Sequence, residues 1–125
     1  MTFAVSKRFE FSASHLLAGL GDEHPCSRLH GHNYRVEVVA EAPDLDDRGF
    51  VVDYHDFAPV ADMLRTTLDH RHLNDVVPGQ PSAERLAWWI YEWCKSHLPG
   101  AVAGRLVAVR VSETPRTWAE YRPSS

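Results

Sequence analysis

Apolar residues open the chain at every second position: Phe3, Val5, Phe9 and Phe11 alternate with Ala4, Ser6, Arg8 and Glu10. A period of two is that of a strand with one buried face, so it predicts a first strand over residues 3–11. Residues 17–27 contain Gly19, Gly21, Asp22 and Pro25 and read as a loop. Tyr34, Val36, Val38 and Ala40 then share one face of a second strand, over about residues 29–42. Residues 43–49 are a polar turn, and the short apolar run 50–52 is a candidate extension of the sheet. From residue 56 to 68 the period lengthens, and Phe57, Val60, Ala61, Leu64 and Leu68 fall on one helical face. Pro59 fits that helix only in its first turn, which makes Asp53 or Asp56 the candidate cap. Residues 70–81 read as a loop. Ser82 is the expected N-cap of a second helix carrying Leu86, Trp89, Ile90, Trp93 and Cys94, closed by Pro99-Gly100. Two more strands follow, over residues 106–112 and 118–122.

The order strand, strand, helix, helix, strand, strand favours antiparallel pairing within each strand pair. It predicts an α+β layer in which two amphipathic helices cover one face of a four-stranded antiparallel sheet. No repeat or low-complexity tract interrupts it, so residues 1–125 read as a single domain.

Composition narrows the function classes. A chain of 125 residues can bury a core but has little room for a deep private pocket, so a substantial ligand site should borrow from a neighbouring subunit. The net charge of −4 argues against nucleic-acid binding, which calls for a basic face. The start of the chain lacks the apolar run of a signal peptide, and no stretch approaches the roughly 20 apolar residues of a membrane span. With only Cys26 and Cys94, the chain looks like a cytoplasmic protein with free thiols.

Histidine is the compositional oddity: there are 8, several of them clustered. His30 and His32 flank Gly31 at the start of the second strand and project from the same face. His15 lies just past the first strand, and a hairpin of the two strands would bring all three imidazoles to one point. Three neutral imidazole nitrogens at roughly 2.0–2.1 Å suit zinc (Zn2+) and leave a fourth position open for water or substrate, as in a catalytic site. The alternative is three histidines of the surface or core that hold no metal. Cys26 stands four residues before His30. Beside a divalent metal and Arg28 its thiol would ionise readily and serve as a base; the alternatives are a fourth metal ligand or an inert thiol. Cys94, among tryptophans on an apolar helix face, reads as core. In Leu68-Asp69-His70-Arg71-His72 the aspartate can orient the adjacent imidazole, as ordinary polar residues at a helix end also can. Glu113 ends the third long strand with the parity of Val107, Val109 and Val111. It is either an exposed strand-end charge or an inward carboxylate able to accept two hydrogen bonds from an amidine-like ring edge.

In order, His15, Cys26-x-x-x-His30-Gly31-His32, Leu68-Asp69-His70, Pro81-Ser82-Ala83-Glu84 and Ser112-Glu113-Thr114 span most of the chain. The ordered set resembles the 6-pyruvoyltetrahydropterin synthase superfamily, and the spacing of Cys26 from the histidine block looks like that of the bacterial 6-carboxytetrahydropterin synthases. The resemblance implies a tunnelling fold, in which subunits join their sheets into a barrel as trimers or hexamers with the active site at a subunit interface. It implies that His15, His30 and His32 hold zinc, that Cys26, Asp69 and His70 transfer protons, and that Glu113 anchors a pterin. The implied substrate is 7,8-dihydroneopterin triphosphate, for which Lys7, Arg8, Arg28 and Arg71 are candidate phosphate partners. Two departures stand out: Arg71 replaces the second histidine of the family's Leu-Asp-His-His, and Ser82 replaces a threonine at the second helix.

Overall fold

The computed structural model describes residues 2–124, the side chain of Cys26 excepted. Strand β1, Phe3–His15, and strand β2, His30–Ala42, pair antiparallel without interruption, from Phe3 opposite Ala42 to His15 opposite His30. β1 runs past the expected end because Ser12 and Ser14 go on alternating with buried Phe11, Ala13 and His15. Strand β4, Leu106–Thr114, adds antiparallel to β2, and β5, Thr117–Tyr121, adds antiparallel to β4.

The sheet differs from the expected four antiparallel strands. A short strand β3, Arg71–His72, pairs parallel to β1 at Ala13 and Ser14, giving a five-stranded mixed sheet in the order β3-β1-β2-β4-β5. Two residues are too few to carry a hydrophobic period, so this edge read as loop. The run 50–52 does not extend the sheet; Val51 and Val52 sit buried in a bend and fill the core instead.

The expected first helix is three consecutive pieces. A 3₁₀ turn, Tyr54–Phe57, is capped by Asp53, whose side chain accepts from His55 N at 2.9 Å. Helix α1, Ala58–Met63, has Pro59 in its first turn, where the missing N–H is not needed. A π-helical turn, Leu64–Leu68, closes with Asp69 N donating to Leu64 O at 2.7 Å. The wider turn lets Leu64 and Leu68 both stay buried while the chain leaves the helix toward β1. Helix α2, Ala83–His97, begins where Ser82 Oγ accepts from Arg85 N at 3.2 Å. Pro99 does close it, but a further short helix α3, Gly100–Ala103, follows directly.

Both main helices pack on one face of the sheet, where Tyr34, Val36 and Val38 meet Phe57, Leu64, Leu86 and Ile90. Burying each of these large side chains contributes about 1.5–3 kcal/mol. The opposite sheet face is polar. No helix is long and apolar enough to cross a membrane among the described residues.

Candidate functional site

Residues directly opposite in an antiparallel pair share a sheet face, and so do residues two apart on one strand. His15 faces His30, and His32 lies two positions along β2, so the uninterrupted register puts all three imidazoles on the helix-covered face. Their ligand atoms lie within 4.8 Å of one another. His15 is fully buried. Its Nδ1 lies 2.8 Å from Pro81 O and 3.2 Å from Tyr34 Oη, and the Nδ1 of His30 lies 2.6 Å from Arg28 O. A carbonyl can only accept, so both Nδ1 atoms carry a proton, and in the neutral imidazole each Nε2 is then a bare lone pair. Those two Nε2 atoms are 2.8 Å apart, so in the neutral tautomers lone pair faces lone pair.

His32 completes the set. Its Nε2 is buried and has no hydrogen-bond partner among the described residues. Burial lowers its pKa, with a smaller opposing pull from Glu113 and small pushes from His15 and His30, so its neutral form is favoured. A buried, unpartnered nitrogen beside two converging lone pairs is a donor set that fits a divalent cation. Carbonyl acceptors behind ligand imidazoles are the usual means of fixing their tautomer and aim.

Glu113 does point inward. Its Oε2 lies 3.6 Å from His32 Nε2, and it lines a cavity of about 340 Å³ with Glu84, Val111, Thr117 and Trp118. The nearby Tyr34 hydroxyl is kept protonated, first by burial and then by the Glu113 charge.

Asp69 and His70 form a second pair at the outer edge of β1. Asp69 Oδ1 accepts from Ser12 N at 2.9 Å, and its Oδ2 lies 3.0 Å from His70 Nδ1. The Ser12 N–H first, and then His70, hold this carboxyl below its usual range. His70 has a left-handed backbone, φ 59°, a strained setting for a side chain with a Cβ, and its N–H donates to Ser12 O at 2.6 Å. Its ring is 82% exposed. His70 and His32 line one cavity of about 500 Å³ together with Arg71 and His72.

His15, His30, His32 and Glu113 thus come together directly, whereas Asp69-His70 stands apart at the β1 edge and shares only its cavity's His32 with them. Cys26 lies in the 3₁₀ turn Pro25–Ser27, and its side chain is outside the described residues. Of the candidate phosphate partners, Arg71 lines the cavity, whereas Arg8 is paired with Glu37 at 3.0 Å. Tyr34 and the Pro81 carbonyl were not foreseen. The parity of Tyr34 with His30 and His32 was a signal; a backbone carbonyl leaves none.

The family model described as 6-pyruvoyl tetrahydropterin synthase matches residues 4–124. The chain belongs to this family. It is 31% identical to 6-carboxy-5,6,7,8-tetrahydropterin synthase of Bacillus subtilis, over 98% of this chain and 86% of that protein. It is 39% identical to dihydroneopterin monophosphate aldolase of Pyrococcus furiosus, over 59% of this chain and 62% of that protein. Among solved structures, it resembles the 6-pyruvoyl tetrahydropterin synthase of Caenorhabditis elegans, with a TM-score of 0.85 and 25% identity over 99% of this chain and 97% of that one.

Proposed function

We propose that this protein is a zinc-dependent, cytoplasmic 6-carboxytetrahydropterin synthase. It would convert 7,8-dihydroneopterin triphosphate and water into 6-carboxy-5,6,7,8-tetrahydropterin, acetaldehyde and triphosphate. The observation that carries the reading is the convergence of His15, His30 and His32 beside the inward carboxylate of Glu113. The full-length similarity to the Bacillus subtilis enzyme supports the choice of product.

In this reading His15, His30 and His32 hold zinc, which when bound supplies a Lewis acid for the side-chain oxygens of the pterin. Glu113 accepts hydrogen bonds from the amidine-like edge of the ring and fixes its orientation. Cys26 takes a proton from the side chain as general base. His70 moves a second proton, and Asp69 holds its imidazole in orientation through the Nδ1 contact. Arg71 offers charge to the phosphates from the wall of the same cavity. The exposure of His70 and the open polar sheet face favour an assembly, a trimer or hexamer with sheets joined into a barrel, in which a neighbouring subunit encloses the cavity.

Mass spectrometry of the products from zinc-loaded protein and 7,8-dihydroneopterin triphosphate, beside a chelated control, tests the proposal. A carboxypterin formed only with zinc, together with acetaldehyde, is expected. A hydroxymethyl product would move the assignment toward the aldolase that the Pyrococcus furiosus similarity represents, and a pyruvoyl product toward the synthase that names the family. Absence of turnover with zinc bound would leave a metal- or pterin-binding role.

A further inference from the structure

Just past β3 the backbone can no longer serve the edge of β1. Arg71 and His72 pair with Ala13 and Ser14, but residues Leu73–Asp75 turn away as a 3₁₀ helix, with Val76 N and Val77 N donating to Leu73 O. Side chains take over at this point. Asn74 Oδ1 accepts from Leu16 N at 2.9 Å, and its Nδ2 donates to Leu16 O at 2.8 Å. Two residues on, Gln80 Oε1 accepts from Ala18 N at 3.0 Å, and its Nε2 donates to Ala18 O at 2.7 Å.

A carboxamide presents one acceptor and one donor side by side, as a peptide edge does. Here each is matched to a backbone N–H and C=O, so only one orientation of each amide satisfies its partners. Asn74 stands where a continued parallel register, Ala13 with Arg71 and Ser14 with His72, would place the partner of Leu16. Residues 16 and 18 bond through the same edge, the alternation of a strand. Beyond them the chain turns at Gly19 and Gly21, with φ 81° and 85°, into open space.

His15 lies between the two kinds of pairing. Ser14 before it is held by β3 and by a 3.1 Å contact from its Oγ to His72 Nδ1, Leu16 after it is held by Asn74, and its ring is held by Pro81 O. The segment 71–81 therefore grips this imidazole from both sides along the chain and from behind the ring.

We infer that Asn74 and Gln80 are positioning residues for the metal centre: their carboxamides extend the sheet edge and lock residues 16–18, so that His15 is aimed before any ion arrives and the segment leading to Cys26 departs from a fixed point. The inference rests on the reading of His15 as a metal ligand. Without the two amides, the chain on the C-terminal side of His15 loses these backbone-edge partners, and the pairing with His30 and the Pro81 and Tyr34 contacts are left to hold the residue.

The test uses the full chain and zinc itself. Asn74→Asp and Gln80→Glu keep size and acceptor, remove the donor, and set a negative charge against a carbonyl; the double change Asn74→Ala with Gln80→Ala removes both amides. Zinc release into a chromophoric chelator, limited proteolysis and melting of the metal-free protein are compared with the parent. The expected result is zinc release faster by about tenfold in the double variant, the scale on which outer partners of metal ligands act. New cleavage within residues 16–24 should accompany it, with the melting temperature of the metal-free protein little moved. Unchanged release and cleavage in the double variant would overturn the inference, as would release that quickens only in step with loss of overall stability. A parent chain that retains no zinc would sink the metal reading instead, and the cleavage pattern alone would then decide whether the amides hold the segment.

Discussion

Cys26 and Glu113 separate binding from chemistry at the level of single residues. If Cys26 is the base rather than a fourth ligand, Cys26→Ala should abolish turnover and leave zinc stoichiometry, read by atomic emission, at the parent value. Loss of zinc would instead assign the thiol to the metal and close the open coordination position. Glu113→Ala should leave zinc in place, because the carboxylate sits 3.6 Å from His32 Nε2, too far for a hydrogen bond to orient that ring. Under the proposed function its loss would remove the charged acceptor for the pterin ring. Each charge-assisted hydrogen bond contributes about 1.5–3 kcal/mol, so pterin affinity measured by fluorescence titration should fall on the order of 100-fold. An unchanged affinity would remove Glu113 from the substrate site. Cys94 needs no chemical role: burial pushes its thiol up to about 12, which suits an inert core residue.

The elements show why part of the site was legible in sequence and part was not. The His15–His30–His32 cluster follows from a register, and register follows from a period of two sustained through β1 and β2. Ser82 announces α2 by capping chemistry, and Leu86 and Ile90 announce its buried face. Leu86 is fully buried against the sheet, so Leu86→Ala should cost about 2–5 kcal/mol in chemical denaturation. What stayed hidden is held by backbone geometry. The π turn at Leu64–Leu68 looks like ordinary helix in its apolar pattern, yet its one wide turn delivers Asp69 to Ser12 N and leaves His70 with positive φ. β3 is fixed by those contacts and not by apolar alternation; likewise the Asn74 and Gln80 amides work as surrogate peptide groups, a use that residue type alone does not reveal.

The whole molecule divides its sheet between two environments, an apolar face under the helices and a polar face open opposite them. On the open face Glu37 is nearly buried, and its carboxylate accepts from Ser6 Oγ at 3.2 Å, Arg8 Nε at 3.0 Å and Arg110 Nη1 at 2.8 Å. Arg8 and Arg110 also lie over the ring of Trp118, at 5.6 and 4.9 Å from its centroid, and Arg110 lies near Glu120. Under the proposed assembly this face turns toward the interior of the barrel, where a satisfied ion network is tolerated and an unpaired charge is not. Burial pulls the Glu37 pKa upward, but the combined hydrogen bonds from Arg8, Arg110 and Ser6 outweigh it and hold the pKa below 4.5. A carboxyl whose folded pKa is depressed binds fewer protons folded than unfolded, so stability rises with pH between the two values. The stabilisation is fully present above 4.5, and it is lost as pH falls from there through the folded value. Glu37→Gln should therefore lower stability near pH 7, where it leaves two arginines short of a carboxylate, and flatten the decline below pH 4.5. Denaturation midpoints across that range decide it: parallel curves for the parent and the Gln variant would mean that the network on the open face contributes nothing to acid sensitivity.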